Sequence, residues 1–397
     1  MAAGRAGSAG HAMFGRRFVF GRILGFEIRA DPTWAILFLL ILWSLASGFF
    51  PAMYPGVATA MAWGLALAGT LGLFASLLFH ELAHSVVARS YGVKVGGITL
   101  FLFGGAAEME SEPASPRAEL LIAGAGPLAS LILAVAFYGV TGVVATAGAP
   151  DPIVGLPYYL AVVNLALAVF NLLPAFPMDG GRLLRAALWG MGRNLRRATK
   201  VASRMGQGFG LLLIAGGAFQ AIAVQNFVGG MWWVLIGVFI HGNAGMTYKR
   251  LLDRLSLQGL TVGDVMTRRP VTVDPDSTIQ QIVDEVIYRY HHHRYPVASG
   301  PRLLGWIGAR QVQGIERARW PELRVGEVMA PADTSVTIPA SADAETALDR
   351  LQARRDGWLM VTDRGALVGV VALRDLQAYL RLRAELGGRA GPPNASA

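Results

Sequence analysis

The sequence contains no cysteine. Disulfides, thiolate nucleophiles and Cys-ligated zinc are therefore excluded, and any metal site must draw on His, Asp or Glu. Charge is scarce as well. Of 397 residues 15% are charged and 53% hydrophobic, which is too apolar for an ordinary soluble domain and points to a membrane class. Lys and Arg are missing from three long stretches: between Ala30 and Ala88, between Ala118 and Gly181, and between Met205 and Tyr248. The formal net charge of +9 sits in the gaps between them and at the two ends, as in the positive-inside loops of a membrane protein. No basic patch interleaved with aromatics suggests nucleic-acid binding. The segment Met1 to Phe26 carries Arg5, Arg16, Arg17 and Arg22 but no long apolar run with a small-residue cleavage site. It reads as a cytoplasmic segment rather than a signal peptide.

Each base-free stretch holds two spans of about 20 residues. The expected spans are Pro32–Phe50 and Val57–Phe79 (continuing through His84), Leu120–Val144 and Gly155–Leu173, then Phe209–Val224 and Phe227–Met246. The links within a pair lack Lys and Arg. The links between pairs carry Arg89, Lys94 and Arg117, then Arg182, Arg185, Arg193, Arg196, Arg197, Lys200 and Arg204. That asymmetry places both termini and both basic links in the cytoplasm, in a multi-pass protein of the cell membrane.

After Lys249 the chain turns polar and repeats itself. Thr261-Val-Gly-Asp-Val-Met266 returns as Arg324-Val-Gly-Glu-Val-Met329, and Leu304-Gly-Trp-Ile307 returns as Val368-Gly-Val-Val371. Two such repeats predict a tandem α/β module. The tail from Gly387 to Ala397 is rich in Gly, Pro and Ala and reads as disordered.

The chemistry gathers at His80-Glu81-Leu82-Ala83-His84. On a helix, residues i and i+4 share a face, so both imidazoles can reach one ion. Glu81 can take a proton from water polarised by that ion. Ionisable residues buried in an apolar helix without a partner are costly, so such residues are functional candidates. A catalytic zinc needs a third protein ligand and one open position. Between Leu120 and Leu252 the only acidic residues are Asp151 and Asp179. Asp151 falls in an outside turn, across the bilayer from His80, whereas Asp179 falls at the cytoplasmic end of the fourth span. Topology therefore selects Asp179, with His241, a lone histidine in the sixth span, as the other option and a packing role as its plainer reading. Two prolines and two glycines in Asn171-Leu-Leu-Pro174-Ala-Phe-Pro177-Met-Asp179-Gly180-Gly181 break the fourth helix. Broken backbone at membrane depth is tolerated where it is buried in protein or lines a cavity. Asn171 can donate to a developing oxyanion or serve a structural role.

These motifs together resemble the site-2 protease family of intramembrane metalloproteases. Gly25-Phe-Glu-Ile-Arg-Ala-Asp-Pro32, Phe101-Leu-Phe-Gly-Gly105 and Ala125-Gly-Pro-Leu128 fit the same family, over about residues 15–250. The resemblance implies His80, His84 and Asp179 as ligands to one zinc per chain, Glu81 as general base, and Asn171 as a residue that stabilises the intermediate or positions substrate. It implies that the stretch from Gly97 to Gly105 forms a membrane-dipping strand that pairs with unwound substrate; a reentrant hairpin without substrate contact is the alternative. It implies as substrates the transmembrane segments of membrane-anchored regulatory proteins. The C-terminal repeat resembles a pair of cystathionine-β-synthase (CBS) domains, which often bind adenine nucleotides. Asp375 stands at the ribose-contacting place of the second half, but Ala372 replaces the usual Thr or Ser, and the first half has Gly308 and Gln311. A structural role, or a homodimer through the CBS pair, is the alternative. His291-His292-His293 reads as a helix-end cluster rather than a metal site.

The expected fold is thus a polytopic α-helical membrane protein of six transmembrane helices followed by a soluble α/β CBS tandem. The expected organisation is a cytoplasmic segment over 1–31, the transmembrane metalloprotease domain over 32–248, a linker over 249–260, CBS halves over 261–318 and 319–383, and a disordered tail over 384–397. The rival functions are a membrane transporter or channel gated by the CBS pair, and a non-catalytic receptor on an inactive protease scaffold.

Overall fold

The structure is a computed structural model that describes residues 18–101, 104–109, 112–192, 194–354 and 356–385. Arg5, Arg16, Arg17, Leu102, Phe103, Arg193 and the tail from Gly387 lie outside the described residues. The chain divides into two compact units after Leu252.

The first unit holds six helices long and apolar enough to cross a membrane: α1 (Thr33–Met53), α2 (Thr59–Ser90), α3 (Pro116–Thr146), α4 (Asp151–Asn171), α6 (Leu195–Ile222) and α7 (Phe227–Leu257). A shorter helix, α5 (Asp179–Gly192), lies between α4 and α6. Helices satisfy every backbone group internally, which is what an apolar surrounding demands. Several ends lie outside the expected limits. α6 starts at Leu195 rather than Phe209, so Arg196, Arg197, Lys200 and Arg204 are helical and not part of a link. Basic side chains on the first turns of a span can carry their charge to the interface. α6 and α7 meet through glycines: a Cβ on Gly210 would lie 2.7 Å from the Gly237 carbonyl oxygen, so the two backbones touch.

Four strands accompany the helices: β1 (Phe18–Ile23), β2 (Phe26–Ala30), β3 (Val95–Phe101) and β4 (Gly104–Met109), in the order β1-β2-β3-β4. β2 and β3 are parallel; the other neighbours are antiparallel. The stretch around Gly25–Pro32 enters this sheet, because alternate residues Phe26, Ile28 and Ala30 are buried. One expectation changes here. The stretch from Gly97 cannot add a substrate strand at β3, whose two edges are taken by β2 and β4. Among the described residues, β4 and β1 are the sheet edges.

The second unit contains a seven-stranded sheet. Arg294–Ser299 pairs with Arg302–Gly308, and Trp358–Asp363 pairs with Ala366–Ala372, so each repeat builds one hairpin. The repeats nevertheless do not pack as they are written. Leu257, Leu260, Val262 and Val265 precede the first hairpin but sit in the core of the second, with Ile338, Leu359 and Val371. Val325 sits in the core of the first half with Ile282, Tyr295 and Ile307. The opening turn of each repeat thus closes the core of the other.

Asp356 ties the halves together. Arg354 forks onto it at 2.7 Å from both Nε and Nη2, and Arg294 of the first half also bonds it. Burial pushes this carboxyl up, but the bonds and charges of Arg354 and Arg294 outweigh burial and hold it below the ordinary carboxylate range. A depressed folded-state value contributes stability above the unfolded value, and that stability is lost as pH falls through the lowered one. Asp356→Asn is therefore expected to cost about 1.5–3 kcal/mol at neutral pH. The deficit should shrink on acidification below the ordinary carboxylate range, in thermal unfolding of the full chain followed over pH.

Candidate metal centre

His80 and His84 stand four residues apart on α2 and are both buried. Asp179 is the first residue of α5, not the end of the fourth span. Its Oδ2 lies 3.2 Å from His80 Nε2 and 3.1 Å from His84 Nε2, and the two Nε2 atoms are 3.2 Å apart. Among the described residues this is the group of three or more side chains able to hold a metal.

Chemistry decides what the triangle fits. His84 Nδ1 donates to the Ile122 carbonyl at 2.6 Å, which leaves Nε2 of the neutral ring as a bare lone pair. His80 Nδ1 lies 2.9 Å from Ser130 Oγ, and donation to that oxygen leaves the same lone pair on His80. Two such lone pairs and a carboxylate oxygen repel one another unless a cation or proton lies among them. In tetrahedral zinc with Zn–N of about 2.0–2.1 Å, donors stand about 3.3 Å from one another. The observed edges of 3.1 to 3.2 Å match that size. Two imidazoles and one carboxylate, with one position left for water, fit a catalytic zinc.

The backing comes from α3. Ile122, Gly126 and Ser130 recur every four residues and present one face to the histidines. A Cβ on Gly126 would come within 2.5 Å of His80 Nε2 and would overlap His84 too. Gly126→Ala is expected to displace both rings and weaken zinc binding about a hundred-fold, read by competition with a chelator. This backing face escaped the sequence reading, although small or polar residues at a spacing of four beside Ala125-Gly-Pro-Leu128 are a visible signal.

The turn over 172–178 sets Asp179. It includes a cis peptide between Phe176 and Pro177. The two glycines do not break a helix as expected; they begin α5. A Cβ on Gly181 would lie 2.5 Å from Phe176 N, and one on Gly180 would overlap the carbonyls of Leu172 and Leu173. Only glycine lets α5 press against this turn.

Glu81 faces the sheet. A Cβ on Gly105 of β4 would lie 2.7 Å from Glu81 Cγ and 3.4 Å from its Oε1. Asn171 closes α4, and its Nδ2 donates to the Leu167 carbonyl at 3.0 Å, within its own helix. His241 Nδ1 lies 3.1 Å from the Gln207 carbonyl, which ties α7 to α6 in the packing role expected of it. His291 ends a helical turn in the left-handed region, and the His292 N–H donates to Tyr295 Oη, so this cluster is a helix end. Asp375 lies in the first turn of the helix Leu373–Glu385 with its carboxylate 3.7 Å from Arg374 Nε. In the first half, a Cβ on Gly308 would lie 2.5 Å from the His293 carbonyl oxygen. Arg185, expected in a basic cytoplasmic link, lies in α5 and is buried.

A zinc-sized set of lone pairs beside a carboxylate, among membrane-spanning helices, defines a metallohydrolase embedded in the membrane. Comparison with known proteins makes this specific: the chain belongs to peptidase family M50, whose model matches residues 68–154 and 142–214. It is a multi-pass zinc metalloprotease of the site-2 type, so the transporter and inactive-receptor alternatives fall away. Residues 262–313 and 325–382 match the CBS domain. The chain is 35% identical over 358 residues to Rip3 of Mycobacterium tuberculosis, covering 90% of this chain and 91% of that protein. It is 31% identical over 319 residues to zinc metalloprotease MJ0392 of Methanocaldococcus jannaschii, covering 79% and 86%. Among solved structures it is similar to a site-2 protease from Methanocaldococcus jannaschii at 31% identity, covering 59% of this chain and 95% of that one with a TM-score of 0.40.

Proposed function

We propose that this chain cuts the transmembrane helix of membrane-anchored regulatory proteins, with His80, His84 and Asp179 as the ligands of one zinc and Glu81 as general base. The observation that carries the reading is the convergence of three lone-pair atoms at 3.1 to 3.2 Å, with both outer histidine nitrogens engaged. Zinc held there supplies a Lewis acid that brings the pKa of water toward neutrality. Glu81 accepts the proton of the attacking water and passes it to the leaving amine. Asn171 spends one amide N–H on Leu167, and its second is available to an oxygen on which charge develops.

A substrate helix has to unwind before its peptide bond is open to attack. Edge strand β4 is the place for the unwound segment, because Glu81 lies against Gly105 in that strand. Pairing there satisfies substrate backbone groups at a depth where water is scarce. The positive-inside distribution supports a cytoplasmic side for both termini and the CBS pair. The CBS pair is a regulatory or dimerising module, with Asp375 as the carboxylate available to the ribose of an adenine nucleotide. The test is capture. Glu81→Gln protein, cross-linked in native membranes and then purified, should retain single-span proteins. Recovery of soluble proteins alone would contradict the assignment.

A further inference from the structure

Arg185 and Glu119 form an ion pair that the proposed chemistry does not use. Glu119 on α3 is fully buried, and Arg185 on α5 is 6% exposed. Arg185 Nε donates to Glu119 Oε1 at 2.6 Å, and its Nη2 bonds the same oxygen. Its Nη1 lies 3.5 Å from Glu112 Oε2. The guanidinium also stands 5.5 Å from the centre of the Phe176 ring. Arg185 therefore holds three things at once: the helix whose first residue is Asp179, the helix that backs both histidines, and the turn that leads into Asp179.

Glycines press the start of α5 against the turn over 172–178. Further along the helix, Arg185 is fixed on the buried Glu119 by two donors of one planar, rigidly spaced guanidinium that converge on a single carboxylate oxygen. Arg185 lies six positions after Asp179 (185 − 179), less than two turns, so a shift at one end is carried to the other. Buried pairs of this kind are weak sources of net stability, since desolvation offsets attraction. A positional role explains why such a pair is kept beside the site.

We infer that Arg185, clamped on Glu119, is the positioning residue that sets Asp179 Oδ2 at ligand distance from His80 and His84. The inference rests on the metal-site reading. Its test separates position from burial by using the full chain in detergent and two readouts, the metal-free melting temperature and zinc affinity by chelator competition. Arg185→Met alone leaves Glu119 buried and unpaired, so it should lower both. The double variant Glu119→Leu with Arg185→Met removes the stranded charge. It should melt close to the wild type without metal, yet bind zinc about ten-fold more weakly. Arg185→Lys keeps the charge and loses the fork, and it should also weaken zinc at a near-normal melting temperature. Wild-type zinc affinity in a folded double variant or in Arg185→Lys would overturn the positioning role while leaving the metal site standing. A wild-type chain that takes up no zinc would overturn the site and this inference with it.

Discussion

Replacing Glu81 by Gln is expected to leave one zinc per chain and to lower kcat for a membrane-embedded substrate about a thousand-fold. Gln keeps the length and shape of Glu but cannot accept a proton at neutral pH. Glu81 lies on the sheet side of α2, against Gly105, while the histidines face α3 and Asp179. The substitution therefore leaves the ligand triangle alone. Substrate affinity should change little, so the loss falls on kcat rather than KM. Single-turnover cleavage with reconstituted protein measures the rate, and elemental analysis measures the zinc. A Glu81→Gln protein that cleaves at the wild-type rate would remove Glu81 from its role. One that has lost its zinc would show that Glu81 helps to hold the site.

Asp179→Ala should act on the other half of the chemistry. Structural zinc sites release roughly 10–16 kcal/mol from four ligands, so losing one of three protein ligands should weaken binding at least about a hundred-fold. Asp179 Oδ2 stands 3.2 and 3.1 Å from the two imidazole nitrogens, and without it the third corner of the ligand triangle is gone. Zinc measured per chain after dialysis against a weak chelator should fall from near one to a small fraction, with cleavage falling in proportion. Retention of zinc would point to another third ligand, and His241 is already engaged with Gln207.

The parts of this protein that are legible in its sequence are those set by local spacing. His80 and His84 announce a shared face because the helix period is fixed. The six spans announce themselves through hydropathy, since lipid selects composition along a continuous run. Asp179 is reached by counting acids, because an apolar domain has so few of them. What was hidden depends on partners far apart in sequence. β1 and β2 are short, and β2 finds β3 across some 70 residues of chain (98 − 28), with Ile28 opposite Ile98 and Ala30 opposite Leu100. The burial of Arg185 rests on Glu119, 66 residues away. From sequence it cannot be told from the solvated arginines around it. The crossing of segments between the CBS halves is hidden for the same reason. A repeat read along the chain shows two units, but it does not show which core each opening turn completes.

A peptide bond inside the membrane is expected to be cut at the His80, His84 and Asp179 centre. The most direct measurement is mass spectrometry of the products from a single-span substrate, reconstituted in liposomes with the wild-type, zinc-loaded protein. The expected result is a cut within the apolar span, lost on zinc removal and restored by its return. A cut confined to residues outside the span, or one that persists without zinc, would contradict it.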